Sequence, residues 1–309
     1  MPGKPTLQEL LEVQRYFNLP SPALVEKDWY VVRALAAITR VEAAPFQFVF
    51  GGGTALSRAH RLTHRMSEDI DLKIVSEQEP SRTELRRLRD KVTASLLEAG
   101  FVFDPDNPAH RNSGNASRYT LYQLPYPAET RGVGALRPEI KIETAVWPLR
   151  CDAVTCKVTS FYAEAFKETS EVPAIPCASV TETLAEKFVA LTRRVGEEAA
   201  NTSSERDKTL VRHIYDLHVT RACYDASELA QLVLKIAYAD AEAYGHKFPA
   251  YRDDPIGETL KGAAILASDS SYAEHYANFL RDMVYGDRPE FSVAMATIEE
   301  LCQKLRDSV

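Results

Sequence analysis

Phe50-Gly51-Gly52-Gly53-Thr54, followed by Arg65-Met66-Ser67-Glu68-Asp69-Ile70-Asp71-Leu72-Lys73-Ile74-Val75, decides how the rest of the chain reads. Phe46 to Phe50 is a short aromatic and β-branched run bounded by Pro45 and the three glycines, the pattern of a buried strand. The glycines end it sharply, residues 54–61 read as a short helix, and residues 69–75 alternate acidic and apolar side chains as a two-faced strand does. Asp69 and Asp71 stand two apart, so their carboxylates leave the same face with Cα atoms about 7 Å apart, and Ser67 continues that register. Hard oxygen ligands placed in this way suit Mg²⁺, which keeps waters and substrate phosphate oxygens in its shell. A glycine turn ahead of a helix adds backbone N–H groups, and Thr54 a hydroxyl, as a cradle for phosphate. Two aspartates on a strand are by themselves more often surface than site. Gly52, Gly53, Thr54, Arg65, Ser67, Asp69 and Asp71 within one strand-helix-strand unit point instead to metal and nucleotide binding.

Working outward, residues 6–17 and 22–38 read as two helices, the second opened by Ser21 as N-cap and Pro22 at the first helical position. Ser81 with Glu84 is a capping box for a helix that carries Leu85, Leu88, Val92, Leu96 and Leu97 to Gly100. Residues 104–116 read as a polar loop, and residues 118–124 and 138–144 as strands. Nucleotidyl transfer needs a third carboxylate as base or second metal ligand beside the attacking hydroxyl. Glu139 and Glu143 share one face of the second of these strands with Lys141 between them, and Glu143 is the favoured choice. Pro173 and Pro176 mark a linker, beyond which residues 181–195, 206–223, 227–244, 254–267 and 291–305 have helical periodicity. The expected organisation is an α/β domain with N-terminal helices over residues 1–170 and a helical domain over 171–309.

Composition narrows the class. No stretch approaches about 18 consecutive apolar residues, so no membrane span is expected. The N-terminus lacks a continuous apolar segment of the signal-peptide kind, which points to a cytoplasmic protein. Five scattered cysteines form no CxxC or zinc pattern. The net charge of −7 excludes a general nucleic-acid binder, so any such binding must use a local basic path. On the helix at 181–195, Leu184, Phe188, Leu191 and Val195 form the buried stripe, which leaves Lys187 and Arg194 on a flanking face that reads as solvated. Arg212 and Asp216 have the i, i+4 spacing of a surface ion pair, and His213 and His218 lack a metal-ligand arrangement. Glu26-Lys27-Asp28 reads as a structural tie between its helix and the core.

Gly52-Gly53-Thr54 with Arg65 to Leu72 resembles the first motif of the AbiEii/AbiGii-type nucleotidyltransferase toxins, a family that includes MenT-like toxins and is related to the polymerase-β superfamily. Val25 to Tyr30, Ala185 to Leu191 with Arg194, and Arg212 to Leu217 resemble three further segments of that family in the same order. The resemblance implies a polymerase-β-like nucleotidyltransferase domain of α/β class with a small mixed sheet, joined to a C-terminal helical domain that contributes to the active-site cleft. It implies that Asp69 and Asp71 hold Mg²⁺, or Mn²⁺ in its place, and the triphosphate of an NTP. Ser67, Gly53 and Thr54 would line the phosphates, Lys187 would contact the triphosphate, and Asp216 would position Lys187 or the acceptor. The implied activity is transfer of NMP to the tRNA 3′ end, blocking aminoacylation and growth, with a cognate antitoxin as partner in a toxin-antitoxin or phage-defence setting. Arg58, Arg61, Arg193 and Arg194 are the candidates for the RNA path. The rival readings are a protein or small-molecule hydroxyl as acceptor, and a non-catalytic nucleotide-binding module.

Overall fold

The aromatic run before the glycines is strand β1 (Gln47–Gly51), and the acidic strand β2 (Asp69–Val75) lies antiparallel beside it with Gly51 opposite Asp71. The computed structural model describes residues 3–130, 136–200 and 206–308. Around β1 and β2 it builds a mixed sheet from β3 (Arg111–Gly114), β4 (Tyr119–Pro125), β5 (Glu139–Val146), β6 (Val154–Val158) and β7 (Val172–Cys177), in the order β3-β4-β5-β2-β1-β7-β6. β5 runs parallel to β2 and β7 parallel to β1, while the remaining pairs are antiparallel.

Strand alternation sorts the sheet into two faces. Phe48, Phe50, Ile70, Leu72, Ile74, Tyr122 and Ile142 share one face and are all buried. Helix α4 (Arg82–Glu98) covers it, with Leu85, Leu88 and Val92 beside Phe48, Ile74 and Tyr122. Each such side chain contributes roughly 1.5–3 kcal/mol on burial. The capping box expected at Ser81 and Glu84 is formed in both directions. Before the sheet come α1 (Leu7–Tyr16) and α2 (Pro22–Ile38), the latter opened by the Ser21 cap and Pro22 and buried along nearly its whole length. The opposite face of the sheet carries Asp69, Asp71, Lys141 and Glu143.

Several local expectations are corrected. The helix after the glycines begins at Gly52 rather than Thr54: α3 (Gly52–Thr54) leads into a π-helical turn at Ala55–Ala59, closed by the His60 N–H on the Ala55 carbonyl at 2.9 Å. The expected polar loop at 104–116 contains β3, whose Ser113 pairs with Thr120. Pro173 and Pro176 lie within β7 and do not form a linker. That strand pairs with β1 only at Phe50 and Cys177, and a register irregularity at Cys156/Val158 interrupts its ladder with β6, so the missing proline donors are tolerated. The short α5 (Phe161–Ala165) connects β6 to β7.

The chain divides into two compact units, Met1–Ser179 and Val180–Val309. The second is helical: α6 (Val180–Ala200), α7 (Arg212–Val219), α8 (Ala226–Tyr244), α9 (Pro249–Asp253), α10 (Pro255–Ser268), α11 (Ser271–Met283) and α12 (Phe291–Arg306). Leu184, Phe188, Leu191 and Val195 of α6 are fully buried, as their spacing requires. Gly262 lets α10 press against α6, since a Cβ there would lie 2.1 Å from the Thr192 carbonyl oxygen. The helix expected over 206–223 is confined to α7 and a 3₁₀ turn at Arg221–Cys223. The Asp207 carboxylate accepts the N–H and hydroxyl of Thr209, and that local turn competes with helix.

Candidate active site

Gly52 brings the backbone against the acidic strand. Its φ is +69°, and a Cβ there would lie 1.9 Å from Asp71 Oδ2, so both conformation and space demand glycine. Gly53 is pressed from the other side: a Cβ would meet Arg65 Nη2 at 2.5 Å and Ser67 Oγ at 2.7 Å. The Thr54 hydroxyl donates to the Asp69 carbonyl and lies 3.0 Å from Ser67 Oγ. Gly52, Gly53, Thr54, Arg65, Ser67, Asp69 and Asp71 are thereby brought into one small region of the first unit.

The parallel pairing of β2 with β5 sets Asp71 opposite Glu143 and Asp69 opposite Lys141, all on the face that α4 leaves uncovered. Glu139 lies two positions before Lys141, the partner of Asp69, and so farther from Asp71 than Glu143 does. Two carboxylates of this row have a cation at hand: Lys141 pairs with Glu143, and Arg137 Nη1 reaches Asp69 Oδ1 at 2.5 Å. Among the described residues no three His, Cys, Asp or Glu side chains form a closed metal cage. Mg²⁺ needs none, because it is usually held by one or two carboxylates together with substrate phosphates. Asp69 and Asp71 have the chemistry and placement for that open mode.

Beneath this row lies a buried ionic frame. Lys27 and Glu68 pair at 3.1 Å, and Asp28 pairs with Arg58 at 3.1 Å while accepting the Phe161 N–H at 2.7 Å. Glu26 accepts the backbone N–H groups of Glu129 and Thr130. Glu26-Lys27-Asp28 thus ties α2 to three separate parts of the unit. Burial pushes the Asp28 carboxyl up to about 6 against the pull of Arg58. Burial also raises Glu68 and lowers Lys27, each opposed by the other.

In the second unit, Lys187 of α6 and Asp216 of α7 are both buried and pair at 3.0 Å. The expectation of a solvated face for Lys187 and of a surface ion pair at Asp216 is corrected, because packing of α7 on α6 encloses both charges. His213 Nδ1 stands 3.4 Å from the Lys187 ammonium.

Two of the four arginines assigned to an RNA path are committed elsewhere. Arg58 is buried between Asp28, the Thr159 carbonyl and the Phe161 ring, 3.9 Å from its centroid. Arg193 is buried against Asp240 at 2.7 Å and Glu197 at 3.0 Å, over the Tyr244 ring. The π turn and the inner face of α6 point these side chains inward, so neither forms a docking surface. Arg61 and Arg194 have exposed side chains, beside Glu164 and Asp207 respectively. Sequence reasoning passed over Arg137 and read His213 as an ordinary helix residue without a metal-ligand arrangement. Arg137 shares the 137, 139, 141, 143 alternation of β5, and His213 is one turn before Asp216, so periodicity held a signal for both.

A mixed sheet that sets a glycine turn against two strand carboxylates, followed by a helical unit, is a fold shared with a nucleotidyltransferase. The same fold occurs in MenT4, a nucleotidyltransferase toxin from Mycobacterium tuberculosis H37Rv, with a TM-score of 0.58 at 16% identity over 96% of this chain and 89% of that one. The family described as Nucleotidyl transferase AbiEii toxin, Type IV TA system, matches residues 33–303, and the chain belongs to it. No curated protein matches the chain. It is accordingly a nucleotidyltransferase toxin of a type IV toxin-antitoxin system. No helix among the described residues is long and apolar enough to cross a membrane.

Proposed function

We propose that this toxin transfers a nucleoside monophosphate from an NTP to a hydroxyl at the 3′ end of tRNA, which blocks aminoacylation and stops growth. The observation that carries the reading is the meeting of the Gly52–Gly53 turn, the Thr54 and Ser67 hydroxyls and the carboxylates of Asp69, Asp71 and Glu143 on one side of the sheet. Asp69 and Asp71 hold the divalent metal, Mg²⁺ or Mn²⁺, which supplies charge neutralisation for the triphosphate. The backbone at Gly52 and Gly53, with Ser67, Thr54 and Arg65, lines the phosphates.

Glu143 takes the proton from the acceptor hydroxyl, whose oxygen bonds to the α-phosphorus as the bond to the β-phosphate oxygen breaks and pyrophosphate leaves. Lys187, paired with Asp216, is the residue that the family resemblance assigns to the triphosphate, where its charge would steady the leaving group. A cognate antitoxin is the partner that the family implies, and action on tRNA implies the cytoplasm.

Burial of Arg58 and Arg193 favours a second reading, in which the acceptor is a protein or small-molecule hydroxyl, because it removes half of the expected RNA path. Incubation of the protein with Mg²⁺, each α-³²P NTP in turn and total tRNA, beside Asp69→Ala and Lys187→Ala, tests both. Label on tRNA that is lost in both variants supports the first reading. Label confined to protein supports the second. Growth arrest that persists in Asp69→Ala would leave neither standing and return the chain to a non-catalytic nucleotide-binding role.

A further inference from the structure

Arg137 is held in place by more than its contact with Asp69. Its backbone N–H donates to Glu68 Oε2 at 3.1 Å, and its carbonyl accepts from Lys27 Nζ at 2.8 Å. Lys27 uses its other donors on the Glu139 carbonyl at 2.6 Å and on Glu68 at 3.1 Å, so all three of its N–H groups are spent around the start of β5. A buried ion pair is a weak source of stability, since apolar residues of similar volume often do as well. What this one achieves is registration. It clamps both sides of the Arg137 peptide to α2 and to the residue just before Asp69, and the guanidinium then falls on Asp69 Oδ1. Unlike Lys27, which is fully enclosed, the Arg137 side chain is 32% exposed and can swing toward solvent.

We propose that Arg137 is an internal counter-cation of the nucleotide site, neutralising Asp69 until a metal-bound triphosphate arrives and then pairing with the triphosphate. The proposal rests on the reading of Asp69 and Asp71 as the metal-nucleotide carboxylates. A bare divalent cation on Asp69 competes with the guanidinium for that carboxylate's charge, leaving Arg137 beside Glu139 and Glu68, the latter already held by Lys27. A metal nucleotide brings a further anion with it, and arginine pairs with phosphate oxygens as well as with carboxylate. Metal and nucleotide therefore bind with positive coupling, each raising the affinity for the other by the same factor.

The test uses the full chain and Mn²⁺ as probe, its binding followed by electron paramagnetic resonance with and without a mixture of the four α,β-methylene NTP analogues. The wild type should bind Mn²⁺ weakly alone and much more tightly with the analogues. Arg137→Gln should bind Mn²⁺ alone about tenfold more tightly and lose a similar factor of the coupling, with Arg137→Lys in between. Unchanged Mn²⁺ affinity in Arg137→Gln, together with a loss in Asp71→Asn, would overturn the counter-cation role and leave the metal-site reading intact. Unchanged affinity in Asp71→Asn would overturn the metal-site reading and the proposal with it.

Discussion

Gly52 and Asp71 occupy nearly the same space. A Cβ on Gly52 would lie 1.9 Å from the Asp71 carboxylate oxygen, in a residue whose φ of +69° L side chains rarely adopt. The glycine turn therefore lies too close to the acidic strand for any side chain at position 52.

Gly52→Ala should accordingly fail on two counts. The left-handed conformation costs about 1–2 kcal/mol, and Asp71 must rotate away from the turn. Nucleotide labelling should fall at least about 100-fold, as misplacement of a reacting group by roughly 1 Å does. Gly53→Ala meets only the ends of the Arg65 and Ser67 side chains, so it should lose less stability than Gly52→Ala. Equal midpoints of urea unfolding in the two variants would contradict this account.

Lys187 and Asp216 form a pair enclosed by two helices of one unit. Lys187→Met or Asp216→Leu alone removes the paired charge from its buried partner and should lower stability, by up to about 3–5 kcal/mol. The double variant should recover most of that loss in thermal unfolding while remaining inactive in the labelling assay. Full activity in the double variant would remove Lys187 from the chemistry.

Asp28 gives a pH dependence of definite sign. Its folded-state pKa of about 6 lies above the ordinary aspartate value, so the folded protein holds a proton that the unfolded chain has released. Its contribution to stability should therefore decline as pH rises from about 4 to about 6, at most by about 1.4 kcal/mol per pH unit for one group. Urea unfolding of the wild type and Asp28→Asn across that range measures the difference. A difference that does not change with pH would mean that Arg58 keeps Asp28 ionised throughout.

Among the arginines, Arg58→Ala should destabilise the protein by stranding Asp28, whatever the acceptor. Arg61→Ala and Arg194→Ala should leave thermal unfolding nearly unchanged. If tRNA is the acceptor, each should also lower the salt dependence of tRNA binding by about one unit of slope. Filter binding over a range of salt concentrations checks this, and unchanged slopes in both would exclude them from the RNA path.

The parts of the fold that were legible in advance are those with a local cause. The Ser81–Glu84 capping box, the Ser21 and Pro22 start of α2, the glycine stop of β1 and the alternation of β2 all act within a few residues, and each is found where its spacing puts it. Two prolines hid β7, because they forbid a continuous ladder but not a strand with one sparsely bonded side. The polar sequence of β3 hid that strand as well, since its pairing with β4 depends on a neighbour and not on its own pattern.

What the amino-acid order determined by itself is the chemistry available on the acidic strand: two carboxylates on one face, with a glycine turn and hydroxyls ahead of them. Tertiary structure alone decided which charge meets which. Asp69 takes Arg137 from 68 positions away, and Arg58 leaves the surface for Asp28. Such pairings follow from strand order and helix docking, and burial then makes each one costly to break, which no pattern of neighbouring residues can express.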